Sequence, residues 1–308
     1  MKYVIYKMYF LNGVHFGSNT LESSQYTFLA DTLFSALCQE AVKMGQEKLD
    51  ELISCTKGHQ ILLSDAFPVC QDELFLPKPF LYIDRGEKAG DSVVKKAYKK
   101  MKYISLSNFD KYLRGDLLPE DTRELNDFGY VTRKVSASVR GEENTVPYRV
   151  GVYYYHEGNG IYFIAGVESD DAEMMLDELL ECLSYSGIGG KRSSGLGRFD
   201  LFKIKCPEEL SSRLQKEAKH YMTLSVSLPQ EDELSDAMQD ANYSVIKRSG
   251  FVASEQYADE HLRKHDLYVF SAGSCFLQKF NGDIFDVSSK GKHPVYRYAV
   301  PMFMGVEA

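Results

Sequence analysis

No stretch of this 308-residue chain approaches the roughly 18 consecutive apolar residues that a membrane-spanning helix requires, so a membrane association is not expected. The six cysteines, Cys38, Cys55, Cys70, Cys182, Cys206 and Cys275, include no CxxC pair, and no histidine stands at zinc-finger spacing. That pattern argues against a disulfide scaffold and a structural metal, and fits a reducing cytoplasm. The opening MKYVIYKMYF could be mistaken for a signal peptide, but polar and aromatic residues interrupt it and no small-residue cleavage site follows. It reads as a first β-strand. There is no GxSxG elbow, and no cysteine is partnered with histidine in a local signature, which leaves hydrolase triads unsupported. His261 and His265 stand four apart, as a zinc pair begins, but lack a third ligand. No metal and no cofactor are expected.

The length predicts two domains. With 44% hydrophobic and 26% charged residues the composition is that of an ordinary globular protein. The net charge of −8 argues against indiscriminate coating of nucleic acid, yet the cations are unevenly placed. Arg85, Lys88, Lys95, Lys96, Lys99, Lys100 and Lys102 crowd one segment, whereas ESDDAEMMLDELLE at 168 to 181 holds no cation. A solvated face accounts for each run; a basic groove beside an acidic docking surface accounts for both. Tyr98 and Tyr103, interleaved with the lysines, would suit a single-stranded nucleic acid, although a surface helix would look the same.

Along the chain, residues 3 to 10 read as a strand and DTLFSALCQEAVKMG as an amphipathic helix, with Asp31 as N-cap and Gly45 as stop. A poorly periodic region from about 55 to 145, rich in Lys, Pro and Gly, reads as an insertion. Arg149 to Tyr155 and Ile161 to Val167 are β-rich runs joined by HEGNG, a hairpin signal. Asp170 to Tyr185 reads as a helix with Met174, Leu176, Leu179, Leu180 and Leu183 on its apolar stripe, and FDLFKIK as a strand. The order β-α-β-β-α-β is that of a ferredoxin-like, RRM-like fold. From Tyr221 the pattern partly repeats, with a helix over EDELSDAMQDA. The fold class predicted is α+β. It comprises an N-terminal RRM-like domain over 1–205 with its insertion, and a C-terminal one over 206–308.

Between the last helix and last strand of the first unit lies SYSGIGGKRSSGLGRF. Gly187, Gly189, Gly190, Gly195 and Gly197 fall within eleven residues there. In ordered structure each loses roughly 0.5–1 kcal/mol relative to alanine, so something requires bare backbone. Glycine permits positive φ or close approach of another molecule, and exposed N–H groups in such a loop form an anion nest. Lys191, Arg192 and Arg198 add positive charge; Ser193 and Ser194 add hydroxyl donors. A P-loop is disfavoured because Gly190-Lys191 is followed by Arg192, Tyr185 stands where the first glycine belongs, and the order is helix to strand. The Rossmann fingerprint fails likewise. Phosphate is the natural guest, and a loop in this place can lay its amides along a polynucleotide backbone.

GIGGKRSSGLGRF resembles the glycine-rich loop of the RAMP superfamily of CRISPR proteins. The whole chain is similar to the type III-A (Csm) subunit that caps the CRISPR RNA at its 5′ end. HFGS at 15–18, SDAFP at 64–68, FLPKP at 75–79, LSYSGIGGKRSSGLGRF at 183–199, SGF at 249–251 and YVFSAGSCF at 268–276 fall in that family's order. The resemblance implies two RRM-like units, a basic thumb formed by the insertion, and a non-catalytic role in holding the 5′ handle of crRNA. It also implies docking on a large polymerase-like subunit and beside a backbone RAMP subunit, with the acidic helix from Asp170 as one docking face. The RNA-binding residues it points to are His15, Phe16 and Gly17, the loop from Gly187 to Arg198, the thumb cations Arg133, Lys134 and Arg140, and Ser249, Gly250 and Phe251. Three roles fit His15: a structural donor packed against the loop, an RNA contact without chemistry, or the general base of a metal-independent endoribonuclease processing repeat RNA.

Overall fold

A computed structural model of the chain describes residues 1–17, 20–83, 96, 98–118, 121, 124–137, 146–254, 257–258 and 262–307. The basic residues Arg85, Lys88, Lys95 and Arg140, and also His261, lie outside them. The fold is mixed α+β. Its strands up to residue 105 are β1 (Lys2–Phe10), β2 (Phe16–Gly17), β3 (Ser24–Gln25), β4 (Ile61–Leu63), β5 (Phe67–Cys70), β6 (Glu73–Pro77) and β7 (Tyr103–Ser105). A ribbon of β8 (Gly129–Ala137) and β9 (Pro147–Tyr155) precedes β10 (Asn159–Val167) and β11 (Phe199–Lys205). The helices are α1 (Ala30–Met44), α2 (Gln46–Lys57), α3 (Phe109–Leu113), α4 (Asp170–Ser186), α5 (Glu208–Gln215) and the single turn α6 (Leu234–Ala237). The rest of the chain adds β12 (His220–Thr223), β13 (Val245–Arg248), β14 (Leu267–Phe270), β15 (Cys275–Phe276), β16 (Asp283–Asp286), β17 (Tyr296–Ala299) and β18 (Phe303–Val306).

The main sheet runs β11-β1-β10-β5-β6-β7, with β4 also paired to β10. Every residue of β10 is buried, because both its faces are covered and it has neighbours on both edges. Helices α1 and α4 pack on one face through Leu33, Phe34, Leu37, Leu176, Leu179 and Leu183. The other face, carrying Ile5, Tyr162 and Ile164, meets α3, α5 and the small sheet β15-β12-β18.

Several expectations are corrected. The runs on either side of HEGNG do not pair with one another. β9 takes β8 as its partner over nine residues, while β10 enters the main sheet, the one place where its unbroken apolar sequence is covered on both sides. The strands that pair β10 on its other edge are β4 and β5, in residues 61 to 70, a stretch read from sequence as insertion. They are three and four residues long, too short to show a period. Gly45, the expected stop of α1, also opens α2. On α4 Met175 is buried and Met174 is exposed, and the helix read over EDELSDAMQDA shrinks to α6.

Asp31 is not the N-cap of α1; Leu29 holds that position and Asp31 sits in the first turn. The capping is supplied from a distance. At Ser64–Ala66 the chain steps out of the sheet between β4 and β5. Asp65 Oδ1 there accepts the Ala30 N–H at 2.8 Å and the Val226 N–H at 3.0 Å. One carboxyl therefore ties the start of α1 to the C-terminal part of the chain. Burial pushes that carboxyl up to about 7, against the pull of the two amides and Arg248, with Asp31 adding to the rise.

A carboxyl raised in the folded state binds more protons folded than unfolded. Its contribution is therefore whole below its ordinary value of 3.8 and is lost as pH climbs to about 7. Asp65→Asn keeps both accepted bonds and cannot ionise. Urea unfolding at each pH is expected to show this variant gaining on the wild type by about 1.4 kcal/mol per pH unit across that window.

Candidate nucleic-acid interface

α4 ends at Gly187, whose φ of 79° turns the chain into the glycine loop. The loop is packed against its own protein more tightly than the sequence suggests. Gly190 N–H donates to the His15 carbonyl at 2.9 Å, Ile188 N–H to Gly197 at 3.0 Å, and Gly197 N–H to Gly13 at 3.2 Å. A Cβ at Gly190 would stand 2.7 Å from the His15 ring, and one at Gly197 2.1 Å from the Ile188 carbonyl oxygen. Gly187, Gly189, Gly190 and Gly197 thus answer close approach by neighbouring backbone and by the His15-Phe16 segment. Gly195, at φ 81°, has open space around it.

What faces outward is a shorter arc. The amides of Gly189, Lys191, Arg192 and Ser193 donate to no oxygen among the described residues. Lys191 is left-handed at φ 59°, and a 3-10 turn over Arg192–Ser194 ends in left-handed Gly195. Alternation of hand of this kind turns successive N–H groups toward one point. Lys191 Nζ lies 4.6 Å from the centre of the Tyr148 ring and donates to its hydroxyl at 3.2 Å. Arg192 donates to Gln39 Oε1 at 2.8 Å. Ser193 and Ser194 are exposed. Arg198 stands apart, in a groove between α4 and β11 with Asp177, Glu181 and Lys203.

His15 is buried beneath this arc. Its Nδ1 lies 2.7 Å from the Gly151 carbonyl oxygen, which can only accept, so the proton sits on Nδ1. The ring thus joins β9 to the loop, the placement of a structural donor. Phe16 is a core residue, edge-on to Phe10 and Phe28 and 5% exposed, and cannot stack on a ligand without unpacking. Gly17 is exposed.

The cations expected in a thumb separate by strand alternation. Lys134 shares a ribbon face with Tyr148, Val150 and Val152, the residues that meet Leu196 of the loop. Arg133 falls on the opposite face, 3.6 Å from Glu22. Tyr98 is buried, stacked on Tyr112 and donating to the Leu117 carbonyl, whereas Lys96, Lys99, Lys100 and Lys102 are exposed.

The SGF segment lies at the other end of α1. Arg248, immediately before it, grips Asp31 with Nε and Nη2 at 2.9 and 2.8 Å. Arg297 binds the same carboxylate and reaches toward the Ser249 carbonyl. Burial works to raise the Asp31 carboxyl, but the two guanidiniums hold it below the ordinary carboxylate range. Lys264, whose N–H donates to the Gly250 carbonyl, is pushed down by burial and by Arg297. Arg297 Nε is buried without a partner among the described residues. Phe251 is exposed, with the Arg263 guanidinium 5.7 Å from its ring centre. Thr32, Ser35 and Gln39, none fully buried, run along α1 between this cluster and Arg192 over about 10 Å. That uncharged stripe, Tyr148 and Arg248 were not singled out from sequence. Thr32, Ser35 and Gln39 recur every three to four residues within an apolar helix, a signal that was readable.

A model of the CRISPR Csm4 C-terminal domain matches residues 216–306. Over 296 residues the chain is 40% identical to the CRISPR system Cms protein Csm4 of Mycobacterium tuberculosis strain H37Rv, covering 95% of this chain and 94% of the relative. It is 39% identical over 315 residues to the protein of the same name from Streptococcus thermophilus, covering all of both. Its fold is similar to a chain of the Csm3-Csm4 subcomplex in the type III-A CRISPR-Cas interference complex, with a TM-score of 0.68 at 18% identity and full coverage of both. A chain of the Csm1-Csm4 cassette in complex with cA4 gives a TM-score of 0.62 at 19% identity, over 100% of this chain and 98% of that one.

The two kinds of glycine predict different costs. Gly197→Ala adds a Cβ against backbone at positive φ and is expected to lower stability by at least about 2 kcal/mol. Gly195→Ala meets only the left-handed penalty of about 1–2 kcal/mol. Urea unfolding of both variants checks the order.

Proposed function

The chain belongs to the Csm4 family of type III-A CRISPR subunits, and from that premise we propose that it is a non-catalytic RNA-binding subunit that holds the 5′ handle of crRNA. The handle backbone follows α1 from the glycine loop to the SGF segment. One observation carries this reading: four free amides, Lys191 and Arg192 stand at one end of an uncharged polar stripe, with the Arg248-Arg297-Lys264 cluster at the other. Asp31, Asp65 and Asp266 all act on the cations of this cluster, and the half-buried Arg248 and Lys264 are the ones an anion there would meet. Base stacking falls to Phe251 and the Tyr148 ring rather than to Phe16.

The chain joins two kinds of neighbour, a Csm1-type large subunit and a Csm3-type backbone subunit. The similar solved structures are a Csm3-Csm4 subcomplex and a Csm1-Csm4 cassette. Two RRM-like units, 1–205 and 206–308, carry these contacts, and the β8–β9 ribbon serves as the thumb. The strand order β11-β1-β10-β4/β5 with α1 and α4 on one face supports the first unit. A cytoplasmic location follows from the same reading. His15 acts as a positioning residue, since its Nδ1 proton is committed to Gly151 and its carbonyl to Gly190.

The test is binding of a single-stranded handle RNA at several salt concentrations. Lys191→Ala with Arg192→Ala is expected to weaken binding and to flatten the log–log salt slope by about 0.7 per lost phosphate contact. The RNA is expected to be recovered at full length after metal-free incubation. Undiminished affinity in the double variant would falsify the loop assignment, and cleavage lost in His15→Ala would establish a nuclease instead.

A further inference from the structure

We infer that the open edge of β11, with the acidic face of α4 beside it, docks an extended cationic segment of a neighbouring protein subunit, which pairs with β11 as an added strand. The inference rests on the reading that the chain works within a multisubunit complex. β11 ends the main sheet: it pairs with β1, and no described strand covers its other edge. One bond sets the phase of that edge. Leu11 N–H donates to the Arg198 carbonyl at 3.0 Å, and the register is unbroken, so the residues bonded to β1 are 198, 200, 202 and 204. Phe199, Leu201, Lys203 and Lys205 therefore turn their N–H and C=O groups outward, and these bond to no described residue. A seven-residue edge with neither proline nor bulge is a template for strand addition that proteins do not ordinarily leave open.

Charge identifies the partner. Lys2, Lys203 and Lys48 answer Glu173, Asp177 and Glu178 at 2.5 to 3.5 Å. Asp170, Asp171 and Glu181 make no ion pair among the described residues. Met174 and Tyr185, 67% and 70% exposed, stand among these acids on the same helix. Of the cations along this edge Lys203 is drawn back onto Glu173 and Asp177, while exposed Arg198 and Lys205 stand at its two ends, Arg198 in the groove with Glu181. On the opposite face of the strand Phe202 is 53% exposed beside Tyr9. An incoming strand would thus place lysine or arginine toward α4 and apolar side chains toward Phe202, on alternate residues. The acids disfavour a nucleic-acid backbone at this edge.

The experiment uses the full chain with purified Csm1-type and Csm3-type subunits of the same complex, each added separately and without RNA. One of them is expected to slow hydrogen exchange at Phe199, Leu201, Lys203 and Lys205. Glu181→Lys should weaken its capture by about tenfold or more. Leu201→Pro, which removes an outward N–H and no bond to β1, should abolish it. Both variants should bind handle RNA as the wild type does. Unchanged exchange with both subunits, or capture indifferent to Glu181→Lys, overturns the proposal. So does protection that depends on the concentration of this chain alone, which reports pairing between two copies. Loss of RNA binding with docking preserved counts against the handle reading and leaves the docking inference standing.

Discussion

The hydrogen bond from Gly190 N–H to the His15 carbonyl sets the form of the whole interface. It draws the glycine loop onto the turn after β1 so closely that neither Gly189 nor Gly190 has room for a side chain. Because His15 is held by its ring to Gly151 of β9, three separate pieces of chain meet at one residue. The loop's outer arc is then fixed from beneath: N–H groups that a regular turn would have given to carbonyls stay without an acceptor among the described residues, while the Lys191 and Arg192 side chains rest on Tyr148 and Gln39. A bare loop without that anchor would lose its shape to conformational entropy.

The second constraint is the pair of buried carboxyls around the start of α1. Asp65 accepts from Ala30 and Val226, and Asp31 accepts from Arg248 and Arg297. Asp31 reaches 217 and 266 residues along the chain to Arg248 and Arg297, and Asp65, which caps Ala30, reaches 161 residues to Val226. Breaking either tie would leave a buried charge or amide unpaired, which costs more than the bond itself contributes. The same ties deliver the SGF segment to the helix that also receives Arg192. The candidate interface is therefore a property of α1 held at both ends, and neither half of the chain could form it alone.

This explains which parts were legible in the sequence. β1, α1, α4 and β11 carry periods long enough to read, and their place and type follow from apolar spacing. Partner choice does not. β9 and β10 are adjacent in sequence and joined by a turn, yet they diverge: β10 is buried over all nine residues, whereas β9 is buried only over 150–153. Hairpin chemistry is local and burial on two faces is not, so the residues around HEGNG point to a pairing the fold does not make. Phe16 was misplaced for a related reason: an aromatic residue beside a loop looks the same in sequence whether it faces a ligand or Phe28. The glycines were correctly seen as demanding bare backbone, but sequence could not say whose approach required it.

That last distinction bears on how such loops hold a chain of phosphates. A loop whose glycines all faced the guest would have to be ordered by the guest. Here most of the cluster is committed to contacts within the protein, so the conformational cost is met during folding and the outward amides are preorganised. Lys191 shows the same logic in one residue. It carries a left-handed backbone, which in a non-glycine residue persists only when its surroundings over-determine it. The surroundings are visible: Tyr148 beneath its ammonium and the 3-10 turn after it. A cation held in that way would give up little side-chain freedom to an arriving anion, so on the proposed reading the rigidity of the protein beneath the loop would become selectivity at its surface.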